Sequence, residues 1–260
     1  MLRKRLIFGL IYSDGFFTQS RNFRLQKVGD LKWLERNYKF HDISFSLDEL
    51  FIVDASRSER DQNKFAETLR SIANNVFIPI TAGGGINCMG DADILFDNGA
   101  DKVVLNTSLI KCPKLLKSIT DKYGVQSVIA SIDYKILNGE QVVFISNASE
   151  KIAYSLTEYI KYIESIGVGE ILINSIDKDG TGFGYDMETS HEIEQDVKIP
   201  ILIMGGAGNK THLKDGLESK NISGVVTANL FNFIGESLPD ARSYLIENKI
   251  NIANWEKNIT

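Results

Sequence analysis

The chain has 260 residues, 43% of them hydrophobic and 24% charged, with a formal net charge of −5. That length suits one large α/β domain, and the apolar fraction is enough for a sizeable core. The acidic balance leaves no basic surplus to replace phosphate counterions, which argues against a general nucleic-acid binder, and no run of 18 apolar residues marks a membrane span.

The opening segment MLRKRLIFGLIYSDG has a basic start and a short apolar run. Asp14 and the lack of a small-residue cleavage site make it a buried first strand rather than a signal peptide. Short apolar runs then alternate with amphipathic stretches, which predicts strands near 5–10, 49–54, 77–82, 102–106, 127–132, 170–174, 200–204 and 224–228. Helical patterns lie between them, among others over 65–76, 156–167 and 211–220. The strands are rich in Val, Ile and Leu, as expected where helices cover the outside of a parallel sheet and side chains fill the inside. Two longer connections follow the first and fifth strands. One covers about 12–30. The other, 135–147, reads as a hairpin turning at Asn138-Gly139. Cys88 and Cys112 give no disulfide framework, and neither they nor His41, His191 and His212 have metal-ligand spacing. No metal or cofactor is implied, and a reducing cytoplasm is the simplest location.

The chain also repeats itself. Pro79, Gly84 and Gly85 recur as Pro200, Gly205 and Gly206, an offset of 121 residues. Each copy is an apolar strand entering a Gly turn, followed some 20 residues later by another apolar strand: 101–107 in one half, 223–231 in the other. Eight units with half-length symmetry predict a single TIM (β/α)8 barrel over 1–260, made of half-barrels at roughly 1–122 and 123–245. The C-terminal ends of barrel strands carry active sites. There Gly205, Gly206 and Gly208 let backbone approach an anion. Ala228 and Asn229 are expected to open a helix whose N–H groups favour negative charge. Gly83, Gly84, Gly85, Asn106 and Thr107 mirror this cup across the mouth. Two such cups suit a long ligand phosphorylated at both ends.

These segments resemble the cyclase subunit of imidazole glycerol phosphate synthase, the HisF type, over nearly the whole chain. The motifs are KRLIFGLIYSDG (4–15), DELFIVDAS (48–56), FIPITAGGGI (77–86), GADKVVLNTSLI (99–110), GVQSVIASID (124–133), GVGEILINSIDKDGTGFGYD (167–186) and MGGAG (204–208). The resemblance implies a barrel that takes ammonia from a glutaminase docked at its bottom and closes an imidazole ring at its top, a lyase reaction on a bisphosphorylated ribonucleotide. It implies that Gly85, Asn106 and Thr107 hold one phosphate, and that Asp179, Gly180, Gly206, Ala228 and Asn229 surround the other. Arg5, Glu49, Lys102 and Glu170, all at strand starts, would form the ammonia gate, and Asp101 would dock the glutaminase.

The family uses two aspartates as acid and base, ending strands 1 and 5, a sensible division of proton transfers. Asp133 supplies the second, but Ile11 stands at the first, and Gln19 replaces a family lysine. Asp14 reads as a turn residue rather than a substitute. Asp179 either shapes its loop or touches ligand. The resemblance is closest to paralogues without the strand-1 aspartate. They are associated with acetamidino groups on surface-polysaccharide sugars and work with a glutaminase-like partner and a sugar amidotransferase. The expectation is therefore a divergent ammonia-passing subunit. The alternatives are a genuine cyclase of histidine biosynthesis and a regulator of the glutaminase that binds a phosphorylated metabolite.

Overall fold

The parallel strands close into a ring. The computed structural model describes residues 3–193, 195 and 197–254, so the outermost residues of the 1–260 domain expectation lie outside the described residues. Strand β1 (Arg5–Ser13) pairs with β2 (Glu49–Asp54) on one side and β8 (Ile222–Thr227) on the other. The ladder runs from β2 through β3 (Ile80–Gly83), β4 (Lys102–Leu105) and β5 (Val128–Leu137). It continues through β6 (Glu170–Ser175) and β7 (Ile201–Met204) to β8. This is the TIM barrel that the repeat predicts.

Helices cover the barrel by burying one stripe. In Gln62–Ala73 the stripe is Phe65, Ala66, Leu69 and Ile72, and Asp61 accepts the Lys64 N–H to start the helix. In Leu156–Ile166 a capping box of Ser155 and Glu158 does the same. Inside the barrel a separate apolar cluster contains Ile7, Ile11, Phe51, Val104, Ile129, Leu172, Leu202, Met204 and Val226. The two-residue period of a strand explains its layering. Two residues before Ile7, Phe51, Val104 and Leu172 stand Arg5, Glu49, Lys102 and Glu170. Two residues after Val104 and Leu172 stand Asn106 and Asn174. Charge at the floor, hydrocarbon in the middle and amides at the mouth are one pattern read along successive strands.

Three expectations change. The third strand begins at Ile80 rather than 77: Pro79 has no N–H for the ladder, and Phe77 is 65% exposed. Residues 12–30 are largely a hairpin rather than a loop. β1 turns at Asp14-Gly15, both at positive φ, into the antiparallel strands Phe16–Arg21 and Arg24–Gly29. Finally, Ala228 and Asn229 open no helix. The Asn229 Oδ1 accepts the N–H groups of Phe231 and Asn232 at 3.2 and 3.0 Å, which folds a local turn, and the next helix waits until Ser237–Glu247. The hairpin at Asn138-Gly139 forms as expected, and a further strand, Glu150–Ser155, pairs alongside it.

Candidate functional site

The C-terminal strand ends surround a mouth cavity of about 530 Å³ lined by Gly84, Gly85, Asn106, Thr107, Asp133 and Ile11, among others. A smaller cavity of about 20 Å³ beside it is lined by Asp179, Gly180, Gly205, Gly206, Ala228 and Asn229. The structure thus gathers the predicted cup residues, apart from Gly83 and Gly208, into two groups, with Ile11 and Asp179 bordering both.

Asp133 lines the larger cavity. It is 7% exposed. Asn174 Nδ2 donates to its Oδ1 at 2.9 Å and Asn106 Nδ2 to its Oδ2 at 3.2 Å. Burial pushes its carboxyl up to about 7, with the charge of Asp179 adding to the rise and the Asn174 bond opposing it. A carboxyl titrating there can give or take a proton near neutrality. Ile11, across the mouth, belongs to the apolar cluster. Asp14 is bonded to the hydroxyls of Ser13 and Ser58 in its exposed turn, and it lines neither cavity.

Asp179 shapes its loop. Its Oδ2 accepts the Ser20 hydroxyl at 2.5 Å and the Phe23 N–H at 2.9 Å, joining the first hairpin to the loop after β6. Asn22 strengthens the join by donating to the carbonyls of Ile176 and Asp177. Burial raises the Asp179 carboxyl against those two bonds. Gln19 makes a second join, its Oε1 accepting the Leu230 N–H at 2.9 Å. That N–H belongs to the turn after β8, so the residue standing at the lysine position covers part of the second cup.

Both glycine turns need their glycines. Gly84, Gly85, Gly205 and Gly206 all have positive φ. A Cβ on Gly84 would lie 2.2 Å from the Asp54 carbonyl oxygen, and one on Gly206 2.0 Å from that of Gly184. Thr107 accepts the Ser146 N–H at 3.0 Å, which brings the second hairpin over the first cup. Sequence reasoning missed Arg57 and Arg60, which also line the mouth. Two arginines three residues apart just beyond the end of β2 were the available signal.

At the opposite end the four predicted gate residues close into a ring. Arg5 pairs with Glu49 at 3.1 Å and with Glu170, while Lys102 pairs with Glu49 at 3.1 Å and Glu170 at 2.7 Å. Thr81 gives its hydroxyl to Glu49 as well. Burial alone would lower the Arg5 pKa, but Glu170 and Glu49 outweigh it and raise it; burial would raise Glu170, but Arg5 and Lys102 outweigh it and lower it. Asp101, beside Lys102, accepts the Ile80 N–H at 2.8 Å.

Residues 36–236 match the model of the histidine biosynthesis protein family. The chain belongs to that family. Within it the chain is of the HisF type. It is 45% identical to the hisF2 protein of Parasynechococcus marenigrum over 98% of this chain and 95% of that one. It is 36% identical to the imidazole glycerol phosphate synthase subunit HisF of Chlorobium luteolum, over 97% of this chain and 99% of the relative. The HisF of Chlorobaculum tepidum is 35% identical with the same coverage. Among the described residues of this HisF-type barrel, no helix is long and apolar enough to cross a membrane. Nor does any group of three or more His, Cys, Asp or Glu stand where it could hold a metal ion.

Proposed function

We propose that this chain is the barrel subunit of a glutaminase-coupled synthase. Ammonia from a glutaminase at the floor passes through the barrel and emerges beside Asp133, for amidination of a sugar in surface-polysaccharide synthesis by a third protein. The observation that carries this reading is Ile11 facing a mouth whose partner carboxyl, Asp133, is intact. Ring closure needs proton transfers at two places, and an isoleucine can make none. Ammonia delivery needs only a path and an exit.

The rest of the interior supports that path. Arg5, Glu49, Lys102 and Glu170 exclude bulk ions while closed, and one salt bridge must open to admit ammonia. The layer of Ile7, Phe51, Val104 and Leu172 above them favours neutral ammonia over ammonium, because hydrocarbon does not solvate an unpaired charge. Asp101 would position the glutaminase. A phosphorylated small molecule would occupy the mouth, its anionic ends at the two glycine cups. A cytoplasmic location follows from that partnership.

The relatives named as HisF subunits of imidazole glycerol phosphate synthase supply the competing reading, a cyclase. Asp179 favours it in one respect, as a second carboxylate on the same cavity and coupled to Asp133. The test is turnover of the bisphosphorylated ribonucleotide with excess ammonia, followed by absorbance. The expected rate is at least about 100-fold below that of an ordinary HisF subunit, the usual weight of one general acid or base. Equal turnover would defeat the proposal. Glutamine hydrolysis by a co-purified glutaminase that depends on this chain but not on phosphorylated ligand supports ammonia passage over the regulatory alternative.

A further inference from the structure

The wall of the mouth between β2 and β3 carries Arg57 and Arg60, and one buried donor on it has no partner among the described residues. Arg60 Nε is buried and has no hydrogen-bond partner among the described residues. Its nearest counter-charge is Asp54 Oδ2 at 4.0 Å, beyond hydrogen-bond reach. Asp54 is otherwise occupied through its Oδ1, which accepts from the Ser56 N–H at 2.9 Å and the Ser56 hydroxyl at 2.5 Å. Asp54 therefore holds Arg60 in place without using its donors. A buried guanidinium donor left unpaired costs free energy. Such an arrangement is expected where a ligand completes it.

The position of Arg60 says which ligand. Its stem crosses the first glycine cup: a Cβ on Gly85 would lie 2.7 Å from Arg60 Cδ. Gln62 borders the same cup, giving its amide nitrogen to the Gly84 carbonyl at 3.0 Å while its own carbonyl oxygen is buried without a partner among the described residues. Turning that amide over would present a donor instead. Arg57, on the same wall, donates to the Phe23 carbonyl at 2.6 Å, which fixes its direction at the rim, and it has no acidic partner among the described residues. The second cup has no such arginine pair: among the described residues no Lys or Arg lines its cavity, the Lys178 stem comes only as near as 3.1 Å from a Cβ on Gly206, and Gln19 covers the Leu230 N–H.

We propose that Arg60, with Arg57 as the outer jaw, clamps a terminal phosphoryl group over Gly84 and Gly85, so that the mouth's ligand is anchored chiefly at this end. Guanidinium forks match phosphate oxygens in pairs, and a phosphoryl dianion supplies the acceptors that Arg60 lacks. The inference rests on the reading of the mouth as a ligand site, but not on ammonia passage.

The test is titration of the full chain with inorganic phosphate, followed by amide NMR shifts at Gly85 and Gly206. Saturable shifts at Gly85 are expected at lower phosphate than at Gly206. Arg60→Gln should weaken the Gly85 event at least about 10-fold, the effect of losing one charge-assisted pair. Arg60→Lys should fall between, keeping the charge and losing the fork. Arg57→Gln should weaken binding a few-fold, and the spectra themselves report that each variant is folded. The proposal is overturned if Arg60→Gln binds phosphate at Gly85 as tightly as the parent, if Gly206 responds first, or if neither glycine responds. Phosphate binding as described, together with failure of ammonia transfer, would leave the clamp standing and remove only the reading of the tunnel.

Discussion

The floor and the mouth of this barrel both gather ionisable groups, and they treat them in opposite ways. At the floor two acids and two bases alternate, each acid held by both bases. Even Glu49, 2% exposed, has three donors. At the mouth, among the described residues, Asp133 has only neutral amide donors and the buried Arg60 Nε has no hydrogen-bond partner. The floor is electrostatically finished by the fold itself. The mouth is left incomplete, which destabilises the free protein and leaves groups ready to act on something else.

Breaking the floor should have the largest effect. Lys102→Ala leaves Glu49 and Glu170 sharing Arg5 alone, and removing one member of a buried ion network costs about 3–5 kcal/mol. Denaturant unfolding would show it; a loss below about 1 kcal/mol would mean the ring is solvated and not a closed ion network. Next come the glycines that scaffold the mouth. Gly84→Ala meets fixed backbone at Asp54 and should cost about 3 kcal/mol, whereas Gly85→Ala meets the movable stem of Arg60 and should cost nearer 1 kcal/mol. Equal losses, measured the same way, would show that the clash at Asp54 is not what decides.

Asp133→Asn should act with the opposite sign. The folded carboxyl titrates near 7 and the unfolded one near 3.8. Below about pH 4 both states hold the proton and nothing is lost; as pH rises to 7 only the unfolded state ionises readily, so stability falls through that window. The full cost is at most about 4 kcal/mol, and Asn sacrifices one amide bond, so a net gain of about 1–2 kcal/mol is expected at pH 8 and none at pH 4. Unfolding curves of both proteins at the two pH values decide it, and a pH-independent difference would remove the raised carboxyl. The smallest effect belongs to neither end. Lys117→Ala deletes an exposed pair with Asp121 and should change stability by less than about 0.5 kcal/mol, a control for the same measurements.

Much of this was legible in the chain. The 121-residue repeat gave the barrel, and alternation along β1, β2, β4 and β6 placed four charges at the floor. Asn138-Gly139 announced its hairpin because a two-residue turn of that kind needs positive φ at both positions. Asp14-Gly15 carried the same signal, but the polar stretch after it masked a strand pair. Asn229 looked like a helix opener because a small polar residue before an apolar run usually is one; its own side chain captured the two following N–H groups instead. Arg57 and Arg60 were passed over because a charge in a βα loop is ordinarily solvated, and only packing shows that one nitrogen is not.

The barrel and the placing of Ile11 and Asp133 on its first and fifth strands were legible in the order of residues alone, since periodicity and glycine placement are local properties of the chain. Which polar groups find partners was decided only when distant segments met. Gln19 reaches Leu230, Ser20 reaches Asp179, and Arg60 reaches Gly85 while its Nε gains no hydrogen bond among the described residues. Hydrogen bonding depends on ångström distances between residues far apart in sequence, and closure of the barrel sets those distances.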